Sequence, residues 1–399
     1  MPKLNPIKLK TSKNCISKKV QELPPSGIRR FFDLIASMEG VISLGVGEPD
    51  YTTPWHIREA AIYALEKGYT MYTSNSGLPE LRQALSDYLA SHDGLNYNPI
   101  DEILITVGVS EGLDLVMRAI LEVGDEVIMP DPCYVAYPAS VYLAGGVPVR
   151  THTDEENAFK IKAENIEKLI TDRTRAILIG YPANPTGAVM SQEDLKQIAE
   201  LAQEHDLLVI SDEVYSQLVY GVEHTCFATL PGMKKRTILL NGFSKAYAMT
   251  GWRIGYVAAQ PDIINAMTKI HQYTMLCAPI LSQMAAVEAL KGIGDEVQEM
   301  VRDYNQRRRV MVKGFRDIGL SCFEPKGAFY TFPSIKATGM TSEEFSEKLL
   351  FEEKVAVVPG NAFGQCGEGY IRCCYATSLV EIEEALRRMD RFIKRHRIQ

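Results

Sequence analysis

No stretch of this 399-residue sequence approaches about eighteen uninterrupted apolar residues, so no membrane span is expected. Cationic excess is also missing. The net charge is −7, which argues against nucleic acid or an acidic membrane surface as the main partner. Among the eight cysteines there is no C-x-x-C pair and no zinc-like spacing, and Cys373 and Cys374 are adjacent, which suits neither a simple disulfide nor a metal clamp. Reduced thiols in a cytoplasmic protein, with no bound metal, are the expectation. No low-complexity tract and no internal repeat interrupts the chain. The first twenty-one residues carry six lysines and no acid, but they lack the apolar block of a secretory signal. Pro2 and Pro6 break any helix there, so an ordinary N-terminal arm is expected.

What is present is a chain of ordinary globular composition, 46% apolar and 23% charged, long enough for two domains. Short β-branched runs alternate with helical spacing through the middle. Strands are predicted over Ile103–Val107, Val127–Met129, Ala176–Gly180, Leu207–Ile210, Thr237–Leu240 and Gly255–Ala258. Helices are predicted over Ser110–Leu121, Tyr134–Leu143 and Ser191–His205. Apolar runs this short, separated by helices, indicate an α/β fold with a parallel sheet covered on both faces. Beyond about residue 295 the pattern changes to helices over Glu296–Ile318, Ser342–Glu353 and Leu379–Lys394. Short strands over Ala328–Phe332, Val355–Val358 and Tyr370–Cys374 lie among them. The predicted organisation is an arm over 1–45 packing with a small α+β domain at 295–399, and a large domain at 46–294.

In an open parallel sheet, ligands bind outside the carboxyl ends of the strands. The residues just past each predicted strand are therefore the candidates. Gly108-Val109-Ser110 opens a helix, where free N–H groups and a hydroxyl would hold a phosphate. A plain N-cap serine is the alternative. Arg253 would add a charged fork. Asp212 could hold a pyridine nitrogen protonated, or merely cap a turn. Tyr215 and Asn184 could hydrogen-bond a phenolic oxygen, or serve structure alone. Lys245 would capture a carbonyl, which requires an amine able to lose its proton.

Ser244 to Gly255, read as Ser-Lys-Ala-Tyr-Ala-Met-Thr-Gly-Trp-Arg-Ile-Gly, resembles the cofactor-lysine signature of the class I/II aminotransferases. These are pyridoxal-5'-phosphate (PLP) enzymes of fold type I. Asn184 to Gly187 is similar to the family's Asn-Pro-x-Gly turn, and Asp212 with Tyr215 to its Asp-x-x-Tyr. Gly45 to Asp50 resembles its early substrate loop, Tyr72 with Gly77 to Arg82 its segment reaching a partner subunit's phosphate, and Tyr370-Ile371-Arg372 its carboxylate-binding strand. The likeness runs in order over roughly residues 25 to 395.

The resemblance implies roles residue by residue. Lys245 would bear PLP as a Schiff base and move the α-proton. Asp212 would pair with the ring nitrogen, Tyr215 and Asn184 would tune the phenolic oxygen, and Tyr134 would stack on the ring. Val109, Ser110, Ser244 and Arg253 would hold the phosphate, joined by Tyr72 across a homodimer. Gly47, Asn184 and Arg372 would hold the substrate carboxylate. Gly242 stands where some relatives carry a further phosphate-binding serine. The implied activity is transfer of an amino group between an L-amino acid and a 2-oxo acid such as 2-oxoglutarate. Ile270 to Pro279, where some relatives carry a cation for a second carboxylate, has neither Arg nor Lys. An aromatic or other neutral substrate is therefore expected. Aspartate or alanine as substrate, or a PLP-dependent C–S lyase on the same fold, are the alternatives. A DNA-binding regulator would need a recognition domain before Gly27, and that stretch is too short.

Overall fold

The computed structural model describes residues 15–24, 38–292 and 295–396. After β1 (Ile42–Ser43), the chain builds seven strands of one sheet. They are β2 (Ile103–Thr106), β3 (Glu126–Asp131), β4 (Val147–His152), β5 (Thr174–Ile179), β6 (Leu208–Asp212), β7 (Thr237–Gly242) and β8 (Gly255–Ala258). Their order is β2-β8-β7-β6-β5-β3-β4. All pairs are parallel except those made by β8, which runs antiparallel to both β2 and β7.

Every residue of β2, β3 and β8 is buried, as expected for strands covered on both faces. One face packs Leu113, Val116 and Met117, from the helix Val109–Ile120, against Leu104, Ile210, Leu240 and Val257. On the other, Leu81, Leu85 and Leu89 of the helix Pro79–Asp93 meet the layer containing Ile105 and Leu239. The predicted helix at Ser191 begins with a capping box, Ser191 and Asp194 each bonding the other's backbone N–H. The edge strand β4 was invisible in the sequence. Only Thr151 is buried along it, and Pro148 breaks its apolar pattern.

The last hundred residues add β9 (Tyr330–Thr331), β10 (Val355–Ala356), β11 (Val358–Pro359) and β12 (Ile371–Cys374). The single strand expected over Val355–Val358 is two. Val355–Ala356 pairs with β1, whereas Val358–Pro359 pairs with β12. Around these strands pack Tyr304 and Phe315 of the helix Asp295–Asp317 and Met389 and Phe392 of the helix Leu379–His396.

The arm expected over 1–45 divides between both parts of the molecule. The helix Lys18–Glu22 lies against the large part: Tyr142 donates to Glu22 at 2.5 Å and Lys19 to the Leu143 carbonyl at 3.4 Å. Among the described residues of the arm, β1 pairs with Val355–Ala356, and Met38 and Val41 pack against Leu350 and Ala356 of the small part. The expected boundary between 294 and 295 touches residues 293–294, which lie outside the described residues. No helix among the described residues is long and apolar enough to cross a membrane.

Candidate active site

A cavity of about 490 Å³ opens at the carboxyl ends of the sheet strands. Gly47, Val109, Ser110, Tyr134, Asn184, Asp212, Tyr215, Ser244, Lys245, Arg253 and Arg372 all line it. Of the residues to which the resemblance gives a cofactor or substrate role, only Tyr72 does not. It is 80% exposed on the outer surface.

One end of the cavity is an anion cradle. The cap of the helix Val109–Ile120 is Gly108, which has no side chain, and Val109 and Ser110 of the first turn line the cavity, so the helix N-terminus faces it. The backbone is crowded here. A Cβ on Gly108, whose φ is +74°, would stand 2.6 Å from the Arg253 guanidinium, and one on Gly255 would stand 2.8 Å from the Val109 nitrogen. Arg253 itself takes the left-handed conformation, at φ 50° and ψ 57°, and donates to the Thr250 carbonyl at 3.0 Å. The Ser110 and Ser244 side chains border the same space.

The middle of the cavity holds Lys245 and Asp212. Lys245 donates to the Gly47 carbonyl at 2.7 Å. Burial lowers its pKa to about 8, and nearby Arg372 and Arg253 push the same way against Cys374 and Glu48. Asp212 ends β6. Burial raises it to about 6, opposed by the Tyr137 hydroxyl, which donates to Oδ2 at 2.8 Å, and by the Val214 N–H. A buried carboxylate held partly up in pKa suits a cationic partner, such as a protonated ring nitrogen. Next to Asp212 along the chain, Glu213 points away into a buried network. It accepts from Ser211 at 2.8 Å and from the Phe227 N–H at 3.0 Å, and meets His224 at 2.8 Å. Those bonds fix the strand end that presents Asp212.

The far end belongs to Arg372. Its Nη1 donates to Asn184 Oδ1 at 2.9 Å and its Nη2 to the Gly45 carbonyl at 2.7 Å. Its Nε is buried without a partner. The guanidinium sits between the rings of Tyr330 and Phe363, with centroids 4.5 and 4.9 Å away. An incoming carboxylate is the group that would satisfy it. Tyr215 shares a 2.8 Å hydroxyl–hydroxyl bond with Tyr330. Gly47 has no room for a side chain, because a Cβ would stand 2.4 Å from the Tyr330 hydroxyl.

Sequence reasoning missed Tyr137, Tyr330, Glu48 and Thr250, all of which line the cavity. Tyr137 lies three residues past Tyr134, on the same face of a predicted helix turn, and that spacing was a usable signal. Nothing local marks Tyr330. Among the described residues, no group of three or more His, Cys, Asp or Glu could hold a metal ion.

A mostly parallel sheet whose strand ends present a part-buried lysine, a helix N-terminus beside one arginine, and a second arginine with an unpartnered buried nitrogen fits a fold type I transferase site. The comparisons agree. The profile for aminotransferase class I and II matches residues 39–389. The putative aminotransferase YugH of Bacillus subtilis is 55% identical, over 95% of this chain and 98% of its own. An aspartate aminotransferase of Pyrococcus abyssi is 46% identical, over 96% and 99%. The crystal structure of an aromatic aminotransferase from Pyrococcus horikoshii has a TM-score of 0.88 at 46% identity, covering 92% of this chain and 99% of that one. The chain belongs to the class I and II aminotransferases, enzymes that in general depend on PLP. It is an enzyme that transfers amino groups between amino acids and 2-oxo acids.

Proposed function

We propose that this enzyme binds PLP in the 490 Å³ cavity and transfers the α-amino group of an aromatic or other neutral L-amino acid to a 2-oxo acid such as 2-oxoglutarate. The residues fit the cofactor. The helix N-terminus with Ser110, Ser244 and Arg253 suits its phosphate, and buried Asp212 suits its ring nitrogen. Bound there, PLP would supply a carbonyl to capture the amino group and a ring to accept electrons from Cα.

The protein's own groups do the rest. Lys245 Nζ, with its proton loosely held, is the amine that anchors the cofactor and then carries the proton from the substrate Cα. Asp212 would hold positive charge at the ring nitrogen, Tyr134 would cover the ring, and Tyr215 and Asn184 would bond its phenolic oxygen. Arg372, Asn184 and the Gly47 backbone orient the α-carboxylate, keeping the Cα–H bond toward Lys245.

The observation that carries the substrate preference is charge. The cations lining the cavity are Lys245, Arg253 and Arg372. Cofactor and α-carboxylate occupy all three, leaving none among the described lining residues for a second carboxylate. The segment from Ile270 to Pro279 ends on the outer surface, where Tyr273 is 87% exposed. That surface also carries Tyr72, Met71 and Met275, large apolar groups that suit a homodimer. In it the partner subunit's Tyr72 would complete the phosphate site. A cytoplasmic location and the division into parts at 45/46 and 294/295 belong to the same reading.

The test is a half-reaction screen of the twenty amino acids, read by the absorbance change as the cofactor becomes aminated. Phenylalanine, tyrosine or another neutral amino acid should react fastest. Aspartate reacting faster than all of these would overturn the preference, and failure of all twenty amino acids to aminate the cofactor would overturn transamination.

A further inference from the structure

Behind the anion cradle lies a second buried pair that the reaction does not use. His271, on the helix Pro261–Thr274, is fully buried, and its Nδ1 lies 2.6 Å from Glu111 Oε1. The other Glu111 oxygen, Oε2, accepts from the Val107 N–H at 2.5 Å. The Nε2 of His271 has no partner. A proton there would be an unmet buried donor, so the imidazole carries its proton on Nδ1 and donates it to Glu111.

Glu111 sits in the first turn of the helix Val109–Ile120. A carboxylate in that position is attracted to the same N-terminal dipole and N–H groups that would bind a phosphate. Two anions cannot share that end without repulsion. Yet Glu111 does not line the cavity, although its neighbours Val109, Ser110 and Leu113 do. His271 and the Val107 N–H tie it back beneath the turn. The same turn is braced by the Gly108 N–H, which donates to the Thr106 carbonyl at 2.8 Å.

We infer that His271 is a positioning residue for the phosphate site: by holding the Glu111 carboxylate out of the helix N-terminus, it keeps that end open to the cofactor phosphate. The inference rests on the PLP reading above. His271 touches neither cofactor nor substrate, so it acts through Glu111 and the Val107–Gly108 turn. Its own carbonyl accepts from the Met275 and Leu276 N–H groups at 2.8 and 3.0 Å. The residue that restrains Glu111 therefore also shapes the exposed turn beyond it.

The test compares PLP with pyridoxal, which lacks the phosphate, by absorbance titration of the full-length chain freed of cofactor. His271→Leu should weaken PLP binding by about tenfold or more while changing pyridoxal binding less than about twofold. His271→Asn places an amide donor near the Nδ1 position and should return PLP affinity to within about threefold of the parent. Glu111→Gln in the His271→Leu background removes the competing charge and should likewise restore it. His271→Phe replaces Leu if that variant does not fold. Equal losses for PLP and pyridoxal, an unchanged PLP affinity, or no recovery with Asn would each overturn the inference. Failure of the parent chain to bind PLP at all would instead overturn the cofactor reading, and the inference with it.

Discussion

The two sides of the cavity are built differently. Asp212 closes β6 and Ser244-Lys245 follow β7, so the proposed cofactor side hangs from adjacent, paired and largely buried strands. The proposed substrate side is assembled from far-apart pieces. Arg372 bonds the Gly45 carbonyl 327 positions away, and Lys245 reaches Gly47 across 198. The loop carrying Gly47 is itself held at two points just beyond it: Thr250 donates to Glu48 at 2.7 Å, and Arg307 pairs with Asp50 at 2.7 Å. The groups expected to move protons and electrons thus sit on a rigid frame, and those expected to choose the substrate sit on loops and a second sheet. Such a division lets selectivity vary without disturbing the chemistry.

The comparison can be broken by substitution. Lys245→Ala should lower turnover by roughly 10⁴-fold or more for every substrate alike, as measured by single-turnover kinetics. Substrate-dependent losses would blur the two sides. Arg372→Leu should cost about 10²-fold in kcat/KM, mostly in KM, because it removes one partner of a buried carboxylate contact. Cofactor affinity should stay near that of the parent, and a large loss of bound cofactor would merge the two sides.

A subtler test is Tyr137→Phe. The Tyr137 hydroxyl favours ionised Asp212, so removing it raises the Asp212 pKa from wherever the bound ring sets it. Activity requiring that carboxylate then disappears at higher pH as the solution is acidified. The acid limb of kcat should move up by about half a unit to one unit, with kcat near its plateau reduced only several-fold. The smallest effect concerns Lys245 alone. In the cofactor-free chain its burial-lowered pKa means that the reactive free amine accumulates as pH rises through about 8, not 10.5. Trapping with a small aldehyde and borohydride should show that midpoint, and a midpoint near 10.5 would contradict it.

What could be read from the sequence follows the same division. The strand ends gave themselves away because β2, β5, β6 and β7 are short runs rich in apolar residues, and because the residues after them are local neighbours in a recognisable order. Asp212, Lys245, Asn184 and Arg253 were all found that way, and all line one cavity. Tyr330 was not found, since it reaches Tyr215 and Arg372 only through packing. Nor was the break at Val357, where the chain leaves the partner of β1 and joins that of β12. Both are decided by tertiary contacts that no window of neighbouring residues contains. The edge strand β4 escaped for the opposite reason: it is too solvated to leave an apolar trace.

Arg253 holds a left-handed backbone, at φ 50°, in order to lay its guanidinium over Gly108. An L-residue is disfavoured there by about 1–2 kcal/mol, a strain that glycine escapes. If Arg253 holds the proposed cofactor phosphate, heat tolerance and cofactor retention pull this position in opposite directions: glycine at 253 would relieve the strain and give up the guanidinium.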